Sequence, residues 1–252
     1  MIAAMASRVL LIHGSAADRT TWSIQLASSV LAARFALTAY DRRALPTVED
    51  QARDAAAQLT GESLIVGSSF GAVVALELVR TRPALVTGAV LIEPPMGAPK
   101  MEADGLRPAG GNDTAPAAPA AFLAEYDRRA AEQGGPAAAE FFLRTVLGDV
   151  AFERMPRTYR ERAMAKHAEI RADSAALLAY RPRYAELASV QTPVLLLGGE
   201  RSAPFFRPTL EALLAHLPHA RLEIVAGAGH MVHAEASRRF AELLTGFADE
   251  IR

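Results

Sequence analysis

The segment from Leu64 to Ala75 has the pattern of a buried strand that ends on a Gly-x-Ser-x-Gly motif and continues directly as a helix. Apolar residues precede Gly67, and a second apolar run follows Gly71. A turn this tight brings backbone segments so close together that a side chain at either glycine position would clash. Such a strand–turn–helix holds one serine, here Ser69, with its hydroxyl exposed above a sheet. The segment therefore predicts an α/β fold and a serine nucleophile.

The composition narrows the classes of protein to which this chain can belong. Its 252 residues are 51% hydrophobic, which is enough for one domain with a large core. A net charge of -1 favours neither nucleic acid nor an anionic membrane as a partner. The absence of cysteine excludes disulfides, thiolate catalysis and cysteine-ligated metals. Because we find no secretory signal and no apolar run long enough to span a bilayer, we expect a cytoplasmic protein.

Short apolar runs alternate with segments of helical periodicity along most of the chain. We predict strands at residues 8–12, 35–40, 63–66, 88–92, 194–197 and 221–225. We predict helices near residues 21–33, 48–59, 70–81, 205–217 and 234–251. This alternation indicates a mostly parallel sheet of about six strands with helices on both faces.

One long interruption breaks this alternation. A Gly-, Pro- and Ala-rich stretch at residues 101–120 predicts a loop. Helical patterns follow it near residues 120–133, 136–147 and 157–172. We therefore divide the chain into a core of residues 1–96 and 193–252 and a helical insertion of residues 97–192. Ligands bind beyond the carboxyl ends of parallel strands, so we expect this insertion to form a lid over a site.

Two backbone donors are predicted at the same edge of the sheet as the serine. The first strand runs into His13 and Gly14, a tight turn that can aim the N–H of Ser15 or Ala16 at the mouth of the sheet. The residue after the serine, Phe70, offers a second N–H at the start of its helix. Two such donors can stabilise the oxyanion of an acyl-transfer intermediate.

The last predicted strand leads into a glycine-rich loop that carries His230. An imidazole with an unperturbed pKa of about 6.5 can accept a serine proton at neutral pH, so we predict His230 as the general base. We assign the other nearby histidine, His233, to capping or packing at the next helix. His216 and His219 flank a helix end, and His167 lies in the insertion, where surface histidines are common.

In this order of features the chain resembles the α/β-hydrolase superfamily over nearly its whole length. The matching motifs are His13-Gly14, Asp41-Arg42-Arg43, the turn from Gly67 to Gly71, a helical segment after Met96, and Gly229-His230. The resemblance implies that Ser69 is the nucleophile and His230 the base. It also implies that the motif after the second strand forms a buried ion pair that braces loops.

The chain departs from the superfamily at the triad acid. Relatives usually carry an aspartate after the strand at 194–197, where this chain has Ser202 in the aspartate position. Glu93 follows the strand at 88–92 and precedes two prolines, an arrangement that resembles the acid of zearalenone-type lactone hydrolases. Because neighbouring strand ends converge on the histidine loop, we predict Glu93 as the acid. Glu200 is the alternative, and the lack of any functional acid is a third interpretation.

A second departure lies before the first predicted strand. Relatives usually carry an antiparallel hairpin there, whereas only about seven residues precede the strand in this chain. A bare sheet edge invites pairing, so the insertion, a terminus or a second copy of the chain has to cover it. A homodimer is one way to provide that cover.

The leading functional hypothesis is a serine hydrolase that cleaves an ester or lactone of a small apolar substrate, with no metal and no organic cofactor. We predict a substrate pocket walled by His13, Gly14, Trp22, Met96 and Met231. Because a fold does not fix a function, the second hypothesis is perhydrolysis, carbon–carbon bond hydrolysis or natural-product tailoring on the same scaffold. The third is a catalytically weak ligand-binding protein, which the serine in the aspartate position favours.

Overall fold

The computed structural model of the protein describes residues 7–97, 117–180 and 184–251. Residues 101–116 of the predicted loop at 101–120 lie outside the described ranges. Residues 117–120 are helical rather than loop. Pro119 does not prevent this, because proline is tolerated in the first turn of a helix.

Six parallel strands form one sheet in the order β2-β1-β3-β4-β5-β6. The strands are β1 (Ser7–Ile12), β2 (Phe35–Ala39), β3 (Ser63–Ser68), β4 (Val86–Ile92), β5 (Val194–Gly199) and β6 (Ala220–Val225). Each predicted strand lies within two residues of these bounds. The prediction of a parallel α/β sheet of about six strands is confirmed.

Helices connect the strands and cover both faces of the sheet. Before β4 they are α1 (Ser23–Leu26), α2 (Ser29–Ala32), α3 (Val48–Ala57) and α4 (Phe70–Thr81), with short 3-10 helices at Arg19–Trp22 and Pro83–Leu85. Between β4 and β5 they are α5 (Ala117–Gln133), α6 (Gly135–Leu147), α7 (Asp149–Arg154), α8 (Arg157–Ala165), α9 (His167–Ala179) and α10 (Tyr184–Leu187). After β5 they are α11 (Phe206–His216), α12 (Val232–Glu235) and α13 (Ser237–Glu250). Within the described ranges, none of these helices combines the length and the apolar character needed to cross a bilayer.

Apolar side chains leave the sheet in both directions and pack in two layers. Along β1, Leu10 and Ile12 join the layer beneath α3, α4 and α11, while Val9 and Leu11 join the layer beneath α13. Successive residues of a strand point to opposite faces, so a strand that is covered on both sides needs apolar residues at every position. This is why the four central strands, β1, β3, β4 and β5, contain continuous apolar runs, whereas the edge strands β2 and β6 include polar or exposed residues.

Two predicted helices outside the insertion are interrupted. The predicted helix at 21–33 is a 3-10 turn followed by α1 and α2, because the Ser28 side chain caps a new helix. The predicted helix at 234–251 is divided by Ala236, whose φ of -127° and ψ of 47° are not helical. Apolar periodicity continues across such short breaks, so the pattern does not reveal them.

Helices α5 to α10 form the part of the insertion that the structure describes. The predicted helix at 157–172 is divided there into α8 and α9 at Lys166, and the short helices α7 and α10 were not predicted. The insertion has an apolar cluster of its own that includes Tyr126, Ala138, Ala139, Leu143, Phe152, Ala163 and Ile170. Ala16, from the loop after β1, packs into the same cluster. The insertion therefore rests against the carboxyl edge of the sheet.

A buried carboxylate in α4 joins the insertion to the core. Glu77 is only 1% exposed and accepts hydrogen bonds from two guanidinium nitrogens of Arg80, at 3.0 and 2.8 Å. It also accepts one from the hydroxyl of Tyr180, the residue after α9, at 3.0 Å. Burial, together with the nearby carboxylate, raises the pKa of the Tyr180 hydroxyl well above its ordinary value.

We expect Glu77→Gln to lower the free energy of unfolding by about 2 kcal/mol, because charge-assisted hydrogen bonds are lost in a buried site. Glu186→Gln is the matched control, since Glu186 pairs with the same arginine at 2.5 Å but is 53% exposed, and it should cost less than about 1 kcal/mol. Urea-induced unfolding of both variants provides the measurement. Equal losses would contradict the buried role of Glu77.

Candidate active site

Ser69 lies in the turn between β3 and α4, and its backbone is strained. Its φ of 54° and ψ of -124° fall in a region that residues other than glycine rarely adopt. The turn is held by a hydrogen bond from the Ser69 N–H to the carbonyl oxygen of Ile92, at 2.8 Å. Phe70 follows as the first residue of α4, where a backbone N–H has no acceptor inside the helix. The geometry is that of a nucleophile elbow.

The two glycines of the motif are sterically required. A Cβ at Gly67 would lie 2.3 Å from the carbonyl oxygen of Gly71. A Cβ at Gly71 would lie 2.4 Å from the carbonyl oxygen of Ile12 and 2.6 Å from that of His13. These contacts involve backbone atoms, which cannot swing away as a flexible side chain can. The serine turn is therefore packed directly against the end of β1.

Glu93 and His230 form a buried hydrogen-bonded pair. Glu93 follows β4 with a φ of 45°, and its Oε2 accepts a hydrogen bond from His230 Nδ1 at 2.6 Å. Its Oε1 accepts the Gly199 N–H at 2.7 Å. The Phe206 ring stacks on the imidazole, with ring centroids 4.4 Å apart and planes inclined by 14°. Both side chains of the pair are almost fully buried, so the imidazole is fixed in position and in tautomer.

Two other glutamates hold the loop that carries His230. Glu235 accepts the Gly229 N–H at 2.9 Å and the Met231 N–H at 3.2 Å, one on each side of the histidine. Glu200 is exposed and accepts the Gly227 N–H at 2.7 Å, in the turn before that loop. The structure thus places Glu200 on the loop backbone, while Glu93 is on the imidazole. Ser202 is partly buried, and its hydroxyl has no hydrogen-bond partner among the described residues.

The turn after β1 is held by an unusual histidine. His13 Nδ1 donates to the carbonyl oxygen of Gly14 at 2.8 Å, and its Nε2 accepts the Arg42 N–H at 3.0 Å. Burial, and to a smaller extent the charge of Arg42, lowers the pKa of His13 to about 4. A neutral His13 can make both hydrogen bonds, whereas a charged one cannot accept. Gly14 lies close to the serine, because a Cβ added at Gly14 would be 3.0 Å from the Cβ of Ser69.

A buried ion pair lies behind this turn. The Arg42 guanidinium donates to Asp173, in α9, at 2.7 and 3.2 Å, and both side chains are less than 5% exposed. The same guanidinium lies 4.8 Å from the centre of the Phe70 ring. The expected ion pair after the second strand is therefore present, and its acid comes from the insertion.

A cavity of about 980 Å³ opens beside these groups, within the usual size range of small-molecule sites. Its wall includes Gly14, Ser15, Ser69, His230 and Met231. On the insertion side the wall is mainly apolar, formed by Phe142, Leu143, Val146, Leu147, Val150 and Met155. The cavity therefore combines one polar edge, at the strand ends, with an apolar side.

Three residues predicted to wall the pocket lie deeper in the protein. His13 is held behind the turn after β1, and Met96 packs in the core layer beneath α4. Trp22 is fully buried, with its ring centroid 4.2 Å from that of His233. Burial lowers the pKa of His233 to about 3, which suits the packing role predicted for it. Of the predicted set, Gly14 and Met231 line the cavity.

The comparison with known families agrees with this architecture. The Alpha/beta hydrolase family matches residues 9–243, which is most of the chain. The chain belongs to the α/β-hydrolase family. The predicted superfamily is confirmed, and so is the prediction that the protein is a hydrolase. No curated protein sequence matches the chain.

Solved structures with the same fold include three whose sequences are distant from that of this α/β-hydrolase. A thermophilic esterase from Thermogutta terrifontis is 22% identical, with a TM-score of 0.76 over 98% of this chain and 90% of the other. An enol-lactonase from Burkholderia xenovorans is 18% identical, with a TM-score of 0.75 over 99% and 94%. A putative non-heme bromoperoxidase from Mycobacterium tuberculosis is 19% identical, with a TM-score of 0.70 over 98% and 94%. At these identities the likeness shows the fold alone.

Sequence reasoning missed Asp173 and Glu235 of this hydrolase. Asp173 is separated from Arg42 by 131 residues, and a single acid within a helical pattern resembles any surface residue. Glu235 could have been noticed, because an acid in the first turn of a helix often accepts backbone N–H groups. Its position in α12, just after His230, was the available signal.

We expect Gly199→Ala to lower the free energy of unfolding by about 1–3 kcal/mol through overpacking. Its Cβ would lie 2.3 Å from the carbonyl oxygen of Gly229, while alanine keeps the N–H that donates to Glu93. The control is Gly246→Ala in α13, where nothing lies within 4 Å and a gain of about 0.5–1 kcal/mol is expected. Chemical denaturation measures both, and wild-type stability of the Gly199 variant would contradict the tight fit.

Proposed function

We propose that the protein is a serine hydrolase that cleaves a carboxylic ester or lactone through Ser69, His230 and Glu93. The observation that carries the proposal is the hydrogen bond between Glu93 and His230 Nδ1, at 2.6 Å. Because Nδ1 is engaged, the other ring nitrogen, Nε2, is the one available to accept the proton of the Ser69 hydroxyl, and both residues line the same cavity. Family membership supports the reaction class, and an esterase and an enol-lactonase are among the solved structures that share the fold.

In the first half of the proposed reaction, the Ser69 hydroxyl transfers its proton to His230 Nε2 and its oxygen attacks the carbonyl carbon. The Glu93 carboxylate balances the charge of the resulting imidazolium. The N–H of Phe70, with that of Ser15 or Ala16, holds the oxyanion. The imidazolium then protonates the leaving alkoxide, and an acyl-enzyme remains.

In the second half, His230 takes a proton from a water molecule, and the hydroxide formed attacks the acyl carbon. The second tetrahedral intermediate uses the same oxyanion donors. Its collapse expels the Ser69 oxygen, which recovers a proton from the imidazolium. The products are a carboxylic acid and the alcohol, which are joined in one hydroxy acid when the substrate is a lactone.

The character of the cavity supports a small, mostly apolar substrate. Side chains of α6 and α7 provide the apolar wall opposite the serine. Apolar pockets with a few convergent polar groups bind a substrate through its hydrocarbon part and orient its reactive group. The insertion would then act as the lid that shapes this wall.

We expect a fluorophosphonate probe to label the wild-type protein and to leave Ser69→Ala unlabelled. Ser68→Ala is the matched control, because Ser68 also lines the cavity one residue away and should remain labelled. Labelling is read by mass spectrometry of the intact protein. Equal labelling of wild type and Ser69→Ala would overturn the assignment of the nucleophile.

Labelling of the wild-type protein, combined with an ester-hydrolysis assay and a ligand-binding measurement, separates the rival functions. Labelling together with hydrolysis of p-nitrophenyl butyrate supports the proposed esterase or lactonase activity. Labelling without that hydrolysis favours a specialised reaction on the same fold, such as perhydrolysis or carbon–carbon bond cleavage. Tight ligand binding by a protein that the probe does not label favours a binding protein.

We expect Glu93→Gln to lower kcat by about 10³- to 10⁴-fold, as is typical when a triad acid loses its charge. The Gly199 N–H will hold the amide oxygen, so the amide nitrogen faces His230 Nδ1 and forces the imidazole into the wrong tautomer. Glu200→Gln is the control and should change kcat by less than about threefold, because its carboxylate contacts the loop backbone. Steady-state ester hydrolysis measures both variants, and the reverse ranking would assign the acid to Glu200.

A further inference from the structure

The loop after β1 is held from behind by side chains that come from two distant parts of the chain. Arg42, after β2, donates through Nε to the carbonyl oxygen of His13 at 2.9 Å and through one terminal nitrogen to that of Gly14 at 3.2 Å. Asp173, in α9 of the insertion, accepts the Ser15 hydroxyl at 2.7 Å. Three consecutive residues of the loop are thus fixed by one ion pair.

The ion pair is buried, which makes each of its members depend on the other. The side chain of Arg42 is 4% exposed and that of Asp173 is 3% exposed. A buried charge that loses its partner carries a large desolvation penalty. The guanidinium therefore stays behind the loop only while the Asp173 carboxylate lies beside it. That carboxylate reaches Arg42 only while α9 is packed against the core.

The residues that carry the proposed oxyanion donors belong to the loop held by this ion pair or contact the pair through a side chain. The N–H of Ser15 or Ala16 belongs to the loop that the pair fixes, and the ring of Phe70 lies against the guanidinium, 4.8 Å away. Ala16 has a φ of 59°, a strained conformation that needs support from its surroundings. That support comes from the insertion, since Ala16 packs into the insertion's apolar cluster.

We propose that Asp173 is a positioning residue for the oxyanion hole, acting through Arg42 and the Ser15 hydroxyl, on the basis of the function proposed above. Asp173 contacts neither the reacting atoms nor the nucleophile. It sets the direction of a backbone N–H, so that docking of the insertion and assembly of the oxyanion hole become one event. The insertion thereby contributes to the chemical step in addition to shaping the pocket.

The exchange Asp173→Asn tests this role with little change in volume. An aspartate can accept from two guanidinium nitrogens and one hydroxyl, whereas asparagine has a single acceptor oxygen and turns an N–H₂ group toward these donors. The control is Asp127→Asn. Asp127, in α5, pairs with Arg171, in the same helix as Asp173, at 2.8 and 3.0 Å, but that pair is about half exposed.

With p-nitrophenyl butyrate, we expect Asp173→Asn to lower kcat by about 10- to 100-fold and to change KM by less than about threefold. The inhibition constant of n-butylboronic acid, which forms a tetrahedral adduct with a serine, should rise by about the same factor as kcat falls. Asp127→Asn should match the wild type in all three values. A merely structural role would lower the active fraction and leave the boronate constant unchanged, and that result would overturn the proposal.

Two further measurements keep the proposal testable whatever the first variant does. Ser15→Ala keeps the ion pair and removes one link, so we expect a smaller loss of kcat, of about three- to tenfold. Hydrogen–deuterium exchange of the peptide covering residues 9–18 needs no substrate, and it should become at least about tenfold faster in Asp173→Asn. Unchanged exchange would refute the positioning role. If the fluorophosphonate probe did not label the wild-type protein, that result would instead refute the proposed function.

Discussion

The carboxylate of Glu93 joins three parts of the chain at the end of the sheet. Glu93 itself follows β4, and its Oε1 accepts a hydrogen bond from the N–H of Gly199 at the end of β5. Its Oε2 accepts a hydrogen bond from Nδ1 of His230, in the loop after β6. A buried charge that lost these donors would be costly, so the three segments are held together. The close approach of Gly199 to the backbone of Gly229 makes this arrangement possible. The position of the histidine therefore depends on how β4 and β5 end.

Much of the fold could be predicted because each physical cause leaves a local mark on the sequence. Strands covered on both faces require unbroken apolar runs, and the turn at Ser69 requires a glycine on each side. Glu93 was predicted because strand ends converge, but its distance to His230 could not be known from the sequence. The breaks at Ser28 and Ala236 escaped prediction, because one non-helical residue hardly disturbs an apolar period. Asp173 escaped because nothing in a helix identifies which distant charge it will meet.

The insertion is tied to the core by polar as well as apolar contacts. Asp173, within α9, reaches the end of β1 through Arg42, and Tyr180, just after α9, reaches Glu77 in α4. These two contacts involve charges that are buried on the core side. A helix fixed at two such points has little freedom to slide, so the apolar wall that α6 and α7 present to the cavity keeps a defined distance from the serine.

The hydrogen bond from the Ser69 N–H to Ile92 links two strained turns that belong to one βαβ unit, β3–α4–β4. The proposed nucleophile and its proposed acid thus follow two consecutive strands that are also adjacent in the sheet, with a single crossover helix, α4, between them. In the arrangement usual among relatives, the acid lies one strand further on and the insertion separates it from the serine in sequence. Here the first two members of the proposed triad come from one contiguous supersecondary structure, which the ribosome completes before any of the insertion is made. The third member of the proposed triad, His230, comes from the far end of the chain.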